Sequence, residues 1–84
     1  MTYEEFYSKI IIARDDHICR LNWNREDFGA NADKVQKVIS KEAKDHPPSG
    51  QSLGMGSIGR VHSRMDFQTI LERAYERLKE EKVF

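Results

Sequence analysis

The chain has one cysteine, Cys19, in 84 residues. That excludes an internal disulfide and a thiol-rich metal cluster, and it suits a reducing compartment. Long apolar runs are missing too. The longest, Ile10–Ala13, falls far short of the roughly 20 residues that span a bilayer. The opening MTYEEFYSK is acidic and lacks the apolar centre of a signal peptide. These absences lead us to expect a cytoplasmic protein with no membrane contact. Nor is there a net charge: 14 Lys and Arg balance 14 Asp and Glu. No global field therefore steers the molecule toward nucleic acid or membrane, and any electrostatic function must come from local segregation of charge.

Glycine and proline are scarce outside one stretch. Both prolines and four of the five glycines lie between Pro47 and Gly59. The whole chain is 38% hydrophobic and 33% charged, the balance of a folded chain rather than a disordered one. The length fits a single small domain, residues 1–84, with a thin core. A second copy would add buried area, so a homodimer is one way to stabilise it.

The apolar spacing predicts an all-α fold of three helices, 2–21, 31–45 and 63–82, with a long Gly-rich loop between helices 2 and 3. Thr2 and Glu5 form a capping box, and Tyr3, Phe6, Tyr7, Ile10, Ile18 and Leu21 share one helical face. Asn22 to Asn24 read as a break, and Trp23 and Phe28 as anchors for the connection that follows. Asn31 is a good N-cap for the second helix, and Pro47 and Pro48 stop it. Ser63 and Asp66 make a weaker capping pair before the stripe Phe67, Ile70, Leu71, Ala74, Tyr75 and Leu78. Helices one and three should form the main packing pair. The expected core is Phe6, Ile10, Ile18, Leu21, Val35, Ile39, Phe67, Ile70, Leu71, Ala74 and Leu78. Residues 46–62 read as a long loop of the functional or mobile kind, with short strand pairing within 50–62 as the alternative.

Two features could bind anions. Lys34, Lys37, Lys41 and Lys44 fall three, four and three apart, which sets them on one helical ridge. Like charges in a row repel unless something negative meets them, so the ridge suits a phosphate backbone or an acidic partner. Its bland alternative is a solvated helix face. The second feature is Gly54-Met55-Gly56-Ser57-Ile58-Gly59, followed by Arg60, Ser63 and Arg64. Glycine backbone amides and a helix start attract anions, and arginine forks grip phosphate. Gly56, Ser57, Gly59, Arg60, Ser63 and Arg64 are the candidate ligand residues here. The G-x-G-x-x-G spacing is not a dinucleotide fingerprint, because no strand–helix–strand unit surrounds it.

Arg14 and His17 intrude on the first apolar stripe: they are candidate buried polar residues, and the favoured alternative sets Arg14 at the stripe's edge with His17 bonded to a backbone carbonyl. Ile12 and Cys19, seven apart on the opposite side, suggest a contact strip. No set of residues has catalytic or metal-ligand spacing, and no cofactor is implied. The expected function is a non-catalytic binding protein that contacts or blocks a protein or nucleic-acid partner through a helical surface. The alternative is a small-ligand binder holding a nucleotide or other phosphate at the Gly-rich loop.

Overall fold

A computed structural model describes residues 1–15, 18–54 and 57–84, with backbone alone at 15, 18, 51–54, 57 and 58. The order is α1 (Tyr3–Ser8), β1 (Ile10–Asp15), β2 (Ile18–Trp23), a 3-10 segment (Arg25–Asn31), α2 (Ala32–Asp45), β3 (Gly50–Gly54), β4 (Ser57–Val61) and α3 (Arg64–Glu80). The fold is mixed α/β rather than all-α. The strands form two separate antiparallel hairpins, β1–β2 and β3–β4.

The first correction is to the long opening helix. Its capping box forms, yet α1 ends at Ser8 with Lys9 as its C-cap. The β-branched run Ile10-Ile11-Ile12 then favours strand, since branching at Cβ restricts rotamers in a helix. From Cys19 to Trp23 the chain alternates Cys, Arg, Leu, Asn, Trp, which is the two-residue period of a half-buried strand. The register sets Ile10 opposite Trp23, Ile12 opposite Leu21 and Arg14 opposite Cys19. Ile10 and Ile12 are buried, with Cys19, Leu21 and Trp23 packed against the same core. Ile12 is 8% exposed, so the proposed wet strip of Ile12 and Cys19 is instead the inner face of the hairpin. Ile11, at 63% exposure, faces out.

The second correction concerns residues 46–62. Gly50 pairs with Val61, Ser52 with Gly59 and Gly54 with Ser57, so the glycine stretch is a hairpin. Gly50 is required there because a Cβ would sit 2.9 Å from the Val61 carbonyl oxygen. Gly29 is required for a different reason. It kinks the 3-10 segment at φ 54° and ψ −129°, a conformation that L side chains rarely adopt.

The remaining helices match the sequence pattern closely. α3 packs chiefly on α2, not on the short α1. The core runs between them: Phe6, Val35, Ile39, Ile70, Leu71, Ala74 and Leu78 are nearly inaccessible to solvent. Phe28, Ala32 and Val38 join them, and Phe84 returns to pack beside Phe6, Phe28 and Tyr75. Leu21 is only half-buried, and the Ile18 side chain lies outside the described residues. Among the described residues, no helix is long and apolar enough to cross a membrane.

Candidate functional site

The start of α3 holds the densest polar cluster. Pro47 and Pro48 end α2 and turn the chain so that His46 and Ser49 approach α3. The Ser49 N–H and the Ser63 N–H each donate to Asp66 Oδ2 at 2.8 Å. The Ser49 hydroxyl donates to both carboxylate oxygens at 2.9 Å, and His46 Nε2 lies 3.1 Å from Oδ1. Ser63 Oγ in return accepts from the Asp66 N–H at 3.1 Å, completing the capping box. Asp66 is 6% exposed. Burial pushes its carboxyl upward, but the donors from Ser49, Ser63 and His46 outweigh that and hold it well below the ordinary carboxylate range.

Ser, His and Asp together invite a test for nucleophilic catalysis. Activation of a serine needs a hydrogen bond from its hydroxyl to a base that a third group orients. Here Ser49 and His46 both bond directly to Asp66, so the carboxylate is a shared acceptor, and among the described residues no His ring accepts from the Ser49 hydroxyl. His62 Nε2 is 2.8 Å from the His46 carbonyl oxygen, and the His62 ring stands edge-on to Phe67. These contacts fasten the base of the second hairpin to α3. Among the described residues, no group of three or more His, Cys, Asp or Glu side chains could hold a metal ion.

This cluster also shows what occupies the polar start of α3. The backbone amides of Ser49 and Ser63 are satisfied by the chain's own Asp66. The glycine-loop residues are dispersed along the hairpin instead. Gly59 lies within β4, and Arg60 sits exposed opposite Gln51. Gly56 lies outside the described residues, and Ser57 is described by its backbone alone. Ser63 and Arg64, however, meet Arg14 in a cavity of about 300 Å³. Cys19, Gly50, Val61 and His62 complete its wall, so both hairpins and the start of α3 bound it. His17 lies outside the described residues.

A second cationic site runs between α2 and α3. Lys34, Lys37, Val38, Lys41, Arg77 and Glu81 line a groove of about 290 Å³. Lys34 pairs with Glu81 at 3.1 Å, and Arg77 Nε lies 3.3 Å from Glu42 Oε1. Lys37 and Lys41 have no ion-pair partner among the described residues. Lys44 is exposed in the last turn of α2, outside the groove. The sequence marks the lysine ridge through its spacing, whereas Arg77 joins it through helix packing, which has no local signature. The Asp66 cluster is foreshadowed by Ser63 and Asp66 alone.

No protein-family model matches the chain, and neither the curated proteins nor the solved structures give a match.

Proposed function

We propose that this is a non-catalytic binding protein that docks on the phosphate backbone of a nucleic acid through the α2–α3 groove. The observation that carries this reading is the convergence of Lys34, Lys37, Lys41 and Arg77 on one groove, with two carboxylates paired to them among the described residues. From Lys34 to Lys44 the ridge rises about 15 Å at about 1.5 Å per residue. That length spans several phosphates of one strand. The groove is lined by lysines, an arginine, a valine and a glutamate, with no aromatic ring to stack on a base. Binding should therefore track the backbone and be indifferent to sequence. The single cysteine is consistent with a cytoplasmic place for such a protein.

Fluorescence anisotropy with a labelled DNA duplex tests the reading. Three to four phosphate contacts should weaken affinity about 40- to 150-fold between 50 and 200 mM salt. The double variant Lys37→Glu with Lys41→Glu should abolish binding. Salt-insensitive binding, or full binding by the double variant, rejects the groove. A protein partner is the second reading, favoured by the exposed Ile11, which lies with Trp23 in an open groove at the base of the first hairpin. Under that reading Ile11→Asp breaks the complex and the lysine variant does not.

A further inference from the structure

The two ion pairs of the α2–α3 groove differ in their access to water. Arg77 is bound to Glu42, whose side chain is 13% exposed, and Lys34 to Glu81, whose side chain is 39% exposed. Taking the cation from a carboxylate as shielded as Glu42 is costly, so Arg77 stays with Glu42 as part of the groove wall. An exposed pair is worth little in water, so Lys34 can exchange Glu81 for another anion. Glu81 itself is fixed in place by the end of α3. As C-cap it donates its N–H to the Arg77 carbonyl at 3.0 Å. Beyond it Lys82 turns at φ 59°, its N–H donates to the Lys79 carbonyl, and the Val83 N–H donates to the Leu78 carbonyl at 2.9 Å. This is the paired bonding of a Schellman cap, and Val83 and Phe84 then pack on the core. Lys34 stands near the start of α2, which packs on α3. Packing of the two helices therefore holds the Glu81 carboxylate against Lys34.

We infer that Glu81 is a built-in competitor for the phosphate at Lys34, which leaves the groove three standing contacts and holds a fourth in check. The inference rests on the nucleic-acid reading above. Lys37, Lys41 and Lys44 have no ion-pair partner among the described residues, and they meet phosphates directly. Lys34 meets one only by releasing Glu81. The freed carboxylate then draws a cation from solution and offsets the counterion that the nucleic acid gives up. Each net phosphate contact steepens the dependence of log affinity on log salt by about 0.9. The slope is therefore about −2.7 for the protein as it stands and about −3.6 once Glu81 carries no charge.

The test is a double-mutant cycle of Lys34→Gln and Glu81→Gln, read by anisotropy of the labelled DNA duplex at several salt concentrations. Glu81→Gln should tighten binding about three- to tenfold at low salt and steepen the slope by about one contact. Lys34→Gln should cost the parent less than about twofold, because Lys34 is already engaged by Glu81. In the Glu81→Gln background the same change should cost about five- to tenfold. Glu80→Gln removes an equal charge from the neighbouring exposed residue, and it should alter affinity less than about twofold. Lys34, Glu80 and Glu81 are all exposed, so the variants keep the fold, and melting curves matching the parent verify it. The inference is overturned if Lys34→Gln costs the same in both backgrounds, or if Glu80→Gln tightens binding as much as Glu81→Gln. In either case a duplex that still binds leaves the docking reading standing. A duplex that binds neither the parent nor Glu81→Gln overturns both.

Discussion

The chain uses the same local device twice, at the starts of α1 and α3, with different consequences. At α1, Thr2 Oγ1 accepts from the Glu5 N–H at 3.2 Å, and Glu5 Oε1 accepts from the Thr2 N–H at 3.3 Å. At α3, Ser63 and Asp66 exchange the equivalent pair at 3.1 and 2.8 Å. The first box stays on the surface and satisfies donors of a six-residue helix. The second is buried and accepts three further donors, from His46 and from the amide and hydroxyl of Ser49. A capping carboxylate in water does little beyond its own helix turn. Buried among donors from elsewhere, it becomes the point at which a hairpin is fastened to a helix.

Asp66→Asn should break that difference most severely. An asparagine keeps one acceptor oxygen and turns an amide toward the donors of Ser49 and Ser63. Leaving buried donors unmet next to a lost charge costs about 3 kcal/mol. Urea denaturation at pH 7 measures it, and a loss below about 1 kcal/mol would show that the cluster is not a clamp. The pH dependence has a definite sign. The folded carboxyl titrates below its unfolded value of 3.8, so its stabilisation is full above that value. It is lost as pH falls further toward the folded value. Parent and variant should therefore differ most near neutrality and converge in acid.

Gly50→Ala tests the same attachment through sterics rather than charge. The new methyl would press on the backbone oxygen of Val61 at 2.9 Å and on the Ser63 amide nitrogen at 3.4 Å. Neither can swing aside as a side-chain tip could, so a loss of about 1 to 3 kcal/mol is expected in thermal unfolding. Faster amide exchange in β3 and β4 should accompany it. A neutral substitution would mean that the hairpin base gives way freely.

The two caps also show what local sequence can and cannot carry. Both boxes are legible as Thr-x-x-Glu and Ser-x-x-Asp, and α2 and α3 follow from caps, apolar stripes and the Pro47-Pro48 stop. The extent of α1 is not legible from its cap. Ile10, Ile18 and Leu21 fit a helical stripe while Ile10, Ile12, Cys19, Leu21 and Trp23 fit a strand, and the β-branched run decides for the strand. The glycine stretch is ambiguous in a similar way: spacing that resembles a phosphate loop also fits the paired strands β3 and β4. Of the candidate sites, the lysine ridge is local and therefore readable. The Arg14–Arg64 cavity, the contribution of Arg77 and the donors from His46 and Ser49 depend on chain segments brought together by folding.

Glu5→Gln is the mildest of the expected effects and the most direct check on the comparison. Hydrogen bonds from the Thr2 backbone and side chain hold the Glu5 carboxyl below its ordinary value. Solvent screens that charge, and the glutamine oxygen can still accept from the Thr2 amide, so the box survives in neutral form. Melting temperature should shift little at low salt, and the residual difference should shrink further at high salt. Because α1 also holds Phe6 in the core, a large drop would reveal any coupling between its cap and that packing. A loss rivalling that of Asp66→Asn would mean that burial does not set the worth of a capping carboxylate in this chain. A small one, in the same protein and assay, isolates burial and the additional donors as the cause.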